Sequence, residues 1–182
     1  MEKIENRFDL FIRLLLSYNK THKLTGAKNK DEVLFHIKDS LFPFEKYDFS
    51  KQKNILDVGT GAGFPGMVLA IKYPQKNFFL VEPLQKRVAF LYLVKSSYNL
   101  QNVKIFQNRV EELEAFDVDL ITSKAVCKVD LLLKLTQKFC HKDLIYLFYK
   151  GKNFQEEVKN IHKYEIIKNN SLNYLIIKDL QC

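Results

Sequence analysis

The residues most suited to chemistry lie in one run, ILDVGTGAGFPG, at positions 55–66. Gly61-x-Gly63-x-x-Gly66 matches the turn that binds a dinucleotide. Asp57-x-Gly59-x-Gly61-x-Gly63 matches the acidic, glycine-rich turn that binds S-adenosyl-L-methionine (SAM). Both ligands need glycine there, because the backbone must approach them with no Cβ in the way. Asp57 favours the second reading. A dinucleotide brings a pyrophosphate to the turn, which a carboxylate opposes and a helix N-terminus welcomes. SAM brings an ammonium and a sulfonium, which a carboxylate attracts. Glu82 closes the next apolar run and can accept ribose hydroxyls in either case, so it does not discriminate.

The elements that must position this turn can be read from hydrophobic spacing. Ile4, Phe8, Phe11, Leu15 and Tyr18 form one stripe of a helix over residues 3–18. A polar loop follows at 19–30. Asp31 is the expected cap of a second helix near 32–41, and residues 42–53, with Pro43, read as a linker. Strands are expected at 54–58, 77–82, 103–107, 118–123 and 143–149. Helices are expected from Pro65 to Tyr73, at 85–98, at 129–140 and at 153–162. YEIIK and NYLIIK, separated by the turn-prone NNS, predict a closing antiparallel hairpin. Strands alternating with helices imply a mostly parallel seven-stranded α/β sheet covered on both faces. The expected division is an N-terminal helical extension, 1–50, and a Rossmann-like domain, 51–182.

Composition narrows the function classes. The 182 residues are 47% hydrophobic, so the chain can bury a core and is not disordered throughout. Net charge is +8. By thirds it is +3 over 1–53, zero over 54–122 and +5 over 123–182. A neutral middle suits a small-molecule pocket, and basic flanks suit a polyanion. The three cysteines form no C-x-x-C pair, which argues against a disulfide scaffold or zinc site and for ordinary reduced thiols. No apolar run approaches the length of a membrane span, and no signal peptide is visible. His22, His36, His141 and His162 lie outside the glycine turn with no catalytic spacing, and read as surface or packing residues.

The run DVGTGAGFPG, followed by LVEPLQKRVAFL, NRVEE, TSKAV and the YKG of 149–151, resembles the 16S rRNA guanine-N7 methyltransferases once called glucose-inhibited division protein B. YNKTHKLT at 18–25 and HIKDSL at 36–41 are similar to that family's helical extension, so the resemblance covers almost the whole chain. It implies the SAM-methyltransferase sandwich fold. It also implies methyl transfer from SAM, leaving S-adenosyl-L-homocysteine, to a guanine in the 530 loop of 16S rRNA. No metal, no membrane, a monomer and a cytoplasmic location go with it. Residue by residue, it places Gly59, Gly61, Gly63 and Phe64 around the methionine part of SAM, Glu82 on the ribose, and Val110 and Glu111 beside the adenine. Lys124 stands where the family usually has arginine, keeping the charge but losing the bidentate fork. It is expected beside cofactor and substrate, on a phosphate or guanine O6. Lys20, Lys23, Lys28, Lys128, Lys150 and Lys152 would extend an RNA-facing surface. The rival readings are an NAD-dependent oxidoreductase, a SAM- or RNA-binding module without transfer activity, and a small-molecule methyltransferase, which the basic flanks and the resemblance argue against.

Overall fold

The computed structural model describes residues 4–152, 154–159, 161 and 163–178. Two helices open the chain, α1 (Ile4–His22) and α2 (Lys30–Lys46). Alternation then begins with β1 (Asn54–Val58), α3 (Gly66–Lys72), β2 (Asn77–Val81), α4 (Gln85–Ser97), β3 (Val103–Phe106) and β4 (Leu120–Lys124). The chain continues with α5 (Val129–Leu135), β5 (Ile145–Lys150) and the hairpin β6 (Tyr164–Asn169) and β7 (Leu172–Ile177).

These strands form one seven-stranded sheet in the order β3-β2-β1-β4-β5-β7-β6. The first five are parallel, and β7 runs antiparallel to both β5 and β6. The period of two along each strand divides the core into two layers. Ile55 and Leu147 join the layer under α1–α4. Their neighbours Leu56 and Phe148 join the layer under α5. The strand order reverses between β1 and β4, so the crevice beyond their C-terminal ends is the natural ligand position in such a sheet.

Four expected features change, the first three for a visible reason. Asn29, not Asp31, caps α2: its side chain accepts the Glu32 N–H at 3.0 Å, while Glu32 reaches back to the Lys28 N–H at 2.8 Å. That reciprocal pairing places Asp31 in the first turn, where it meets the helix dipole favourably. The expected linker is helix as far as Lys46, passing through Pro43. Aromatic packing holds this last turn, with Phe42 stacked on Tyr174 at 5.4 Å and Phe44 on Tyr73 at 5.5 Å. The helix expected at 129–140 stops at Leu135, then forms a 3-10 turn at Gln137–Phe139. Thr136 is the reason: its hydroxyl bonds the Leu132 carbonyl at 2.7 Å and meets the Tyr146 hydroxyl at 2.9 Å, diverting the chain. The helix expected at 153–162 is a 3-10 turn over Gln155–Val158, with positions 153, 160 and 162 outside the described residues.

Cys127 is a free thiol, and Cys182 lies outside the described residues. No helix among the described residues is long and apolar enough to cross a membrane.

Candidate active site at the switch point of the sheet

The chain leaves β1 and turns sharply through residues 59–65 into α3. Gly59 sits at φ +68°, and a Cβ there would lie 2.5 Å from Val126 Cγ2. Gly66 is needed for a different reason: an added Cβ would lie 2.5 Å from Asp57 Oδ2 and press on Leu80. The turn is thus packed against Val126 on one side and against strand side chains on the other.

Asp57 lies on the strand side. It is fully buried, and its Oδ2 accepts the Gly66 N–H at 2.8 Å. It does not line the crevice. Burial raises its pKa from 3.8 to about 7, while the Gly66 N–H and the Lys124 charge act in the opposite direction. A carboxyl raised on folding contributes stability that is present below its unfolded pKa and lost as pH rises through its folded pKa. Between pH 3.8 and about 7, the cost of ionising it therefore grows to about 4 kcal/mol at most. Asp57→Asn keeps an acceptor for Gly66 and cannot ionise. Its melting temperature should exceed that of the wild type at pH 8, with the gap narrowing toward pH 4. A gap that does not change with pH would show that Asp57 is charged without penalty.

Glu82, just past the end of β2, lines the crevice. Its Oε2 accepts the Gly61 N–H at 3.0 Å and its Oε1 accepts the Leu84 N–H at 3.0 Å. Arg87, in the first turn of α4, brings Nη1 to 3.5 Å of Oε2. These contacts fix a buried carboxylate in one orientation, and each oxygen retains acceptor capacity.

Gly59, Gly61, Phe64, Glu82 and Lys124 line one cavity of about 580 Å³, within the size range of small-molecule sites. A cavity of about 570 Å³ at the opposite end of β1 and β2 belongs to the fold instead. There the buried Lys76 spends its ammonium on the Phe49 and Gln52 carbonyls, both at 2.6 Å. Val110 and Glu111 stand apart from the 580 Å³ cavity, in the 3-10 turn Val110–Glu112 after β3. Val110 is buried in the second core layer. The Glu111 carbonyl accepts Lys138 Nζ at 2.6 Å.

Lys124 ends β4 over the crevice. Its Nζ lies 2.5 Å from Asp39 Oδ2, a close ion pair without good hydrogen-bond alignment. It also lies 5.5 Å from the centroid of the Phe64 ring. Asp39 comes from α2 and takes a second contact from the Tyr174 hydroxyl at 2.8 Å. Burial and this carboxylate push the Tyr174 phenol up. Tyr149 donates to the Ser40 carbonyl at 2.6 Å, tying β5 to the same helix.

The N-terminal helices therefore help build the site, which sequence spacing does not reveal. Leu24, Thr25 and His36 line the cavity. The His36 ring packs 5.4 Å from Phe64, which meets Phe11 of α1 at 5.6 Å. His36 is thus a packing residue that also lines the cavity; His162 lies outside the described residues. Arg87 and Thr60 join the lining as well. Of the lysines expected to face RNA, Lys150 is engaged internally, with Glu157 at 2.7 Å and the Cys127 carbonyl at 3.1 Å. Lys20, Lys23, Lys28, Lys128 and Lys152 are exposed.

The profile of the family GidB, described as rRNA small subunit methyltransferase G, matches residues 4–179. The chain belongs to this family. Members named Ribosomal RNA small subunit methyltransferase G include that of Aliarcobacter butzleri, 40% identical over 98% of this chain and 94% of its own length. That of Wolinella succinogenes is also 40% identical, over 96% and 89%. Among solved structures, the ribosomal protein L11 methylase from Lactobacillus delbrueckii has a TM-score of 0.63 at 12% identity, covering 86% of this chain and 81% of its own. An MtNAS mutant in complex with S-adenosylmethionine has a TM-score of 0.61 at 9% identity, covering 96% and 75%. Such likeness shows the shared fold. Within the methyltransferase G family, this chain carries Lys124 at the end of β4, where the long, flexible ammonium reaches Asp39 as a point charge.

Proposed function

We propose that this methyltransferase transfers a methyl group from SAM to N7 of a guanine in the 530 loop of 16S rRNA, as a cytoplasmic monomer. The observation that carries the reading is the paired geometry at the switch point: an open, glycine-lined turn beside a buried, oriented carboxylate. Gly59 leaves no space for a side chain, and Glu82 presents acceptors at the crevice. That donor set fits the aminoacyl end and ribose of SAM. When bound, SAM supplies an electrophilic methyl group on a sulfonium.

The roles of the chain's residues follow from this fit. Gly59, Gly61 and Gly63 would surround the methionine part, with Phe64 closing over it. Glu82 would accept the ribose hydroxyls. Val110 and Glu111 would approach the adenine from the turn after β3. Asp57 would act through its field from beneath the turn. Lys124, steadied by Asp39, would meet an RNA phosphate or guanine O6.

Guanine N7 carries a free lone pair, so no residue has to remove a proton before attack. Holding the base in line is the main task, and orientation of this kind is worth roughly 7–11 kcal/mol at best. The exposed lysines of α1 and of the loop that follows it would supply sequence-independent contacts to phosphate.

Labelled SAM incubated with small-subunit RNA and this enzyme, followed by mapping of the modified nucleotide, tests the reading. Label should appear at N7 of one guanine in the 530 loop. Label at another position, or none with both free RNA and assembling small subunits, would remove it. Calorimetric titration with SAM and with NAD separates the oxidoreductase reading independently.

A further inference from the structure

We infer that His36 is a specificity-determining residue, donating a hydrogen bond from Nε2 to O6 of the target guanine. The inference rests on the reading of guanine N7 as the nucleophile. O6 and N7 lie side by side on one edge of guanine. If N7 faces the methyl donor, O6 must lie in the same part of the cavity.

His36 has the geometry for that contact. It stands on α2 and lines the cavity, against the face of Phe64. Its Nδ1 is shut away from solvent, with no hydrogen-bond partner among the described residues. A proton on Nδ1 would bury an N–H with no acceptor, which is costly. The neutral ring therefore carries its proton on Nε2, the nitrogen left to serve the cavity that His36 lines. Burial, then the nearby Lys124 charge, lower the pKa of His36, with Asp39 and Glu32 opposing more weakly, so the neutral ring is the favoured form.

A neutral Nε2–H matches guanine and mismatches adenine. Guanine offers the O6 acceptor at this position, whereas adenine offers an N6 amino group, a second donor. Lys124 is held by Asp39 and is then left for a backbone phosphate.

The test uses small-subunit RNA joined from synthetic and transcribed pieces, carrying guanine or 2-aminopurine at the target. 2-Aminopurine keeps N7 and the 2-amino group and lacks O6. The wild type should prefer guanine by roughly ten- to a hundredfold in methyl-transfer rate, the range for one buried hydrogen bond. His36→Phe keeps the ring against Phe64 and removes the donor. It should lose rate on guanine and little on 2-aminopurine, so the preference collapses, while SAM affinity holds and the melting temperature does not fall. His36→Gln retains a donor and should recover part of the preference. A His36→Phe enzyme that keeps the full guanine preference, or slows equally on both RNAs, overturns the inference. A wild type that places no methyl on guanine N7 overturns instead the function on which the inference rests.

Discussion

Gly61→Asp should abolish SAM binding while leaving a folded protein. Gly61 lines the cavity at φ +59°, and the atom nearest an added Cβ is the Gly59 carbonyl oxygen at 3.9 Å. A side chain there meets no protein atom, so it occupies ligand space. Aspartate tolerates left-handed backbone better than most residues, at a strain of about 1 kcal/mol. The melting temperature should therefore fall by only about 2–4 °C. The new carboxylate also enters beside Glu82, whose Oε2 already receives the Gly61 N–H. Like charges at such range disfavour each other. Lost volume and a displaced Glu82 together should weaken SAM by at least about 100-fold, equivalent to about 2.7 kcal/mol. Calorimetry on the folded variant measures this. Binding close to wild type would show that the ligand does not enter through the glycine turn.

The second large effect concerns the ion pair that joins the N-terminal helices to the sheet. Asp39 is 5% exposed and the Lys124 side chain 18%. Lys124→Met leaves the Asp39 carboxylate buried with the Tyr174 hydroxyl as its remaining contact. Removing one member of a buried pair typically costs about 3–5 kcal/mol. For a chain of this size, a loss of about 3 kcal/mol lowers the melting temperature by about 6–12 °C. Methyl transfer to RNA should fall with it. Adding Asp39→Asn removes the stranded charge and should recover most of the melting temperature but not the activity. Two further results would count against this: single and double variants melting alike, or a double variant with restored transfer. Either would mean that the pair neither anchors the helix nor serves the substrate.

Much of the sheet could be read in the chain itself. NILDV, NFFLV and VKIF are short, apolar and bounded by polar turns, and each became a strand where expected. The hairpin formed on either side of Asn170, a residue at φ +52° of the type that accepts such a turn. Element ends were less legible. Pro43 should stop a helix by local rules, yet stacking of Phe42 and Phe44 on distant tyrosines holds the final turn together. Thr136 breaks a helix that its apolar spacing would continue, because its hydroxyl pairs with that of Tyr146 on β5.

The same division applies to the site. The glycine turn is contiguous: its backbone angles and close approaches belong to a dozen neighbouring residues, so their order alone declares the bend. The carboxylate after β2 was equally visible, since it ends an apolar run. His36 and Asp39 were not. Nothing in HIKDSL states that His36 will line a cavity and that Asp39, three residues on, will hold a lysine from β4. Those contacts depend on how α2 lies across the sheet, a placement set by many weak apolar contacts shared among α1, α2 and α3. Local chain stiffness wrote the cofactor turn into the sequence, whereas the wall facing the substrate came into being only when distant helices docked.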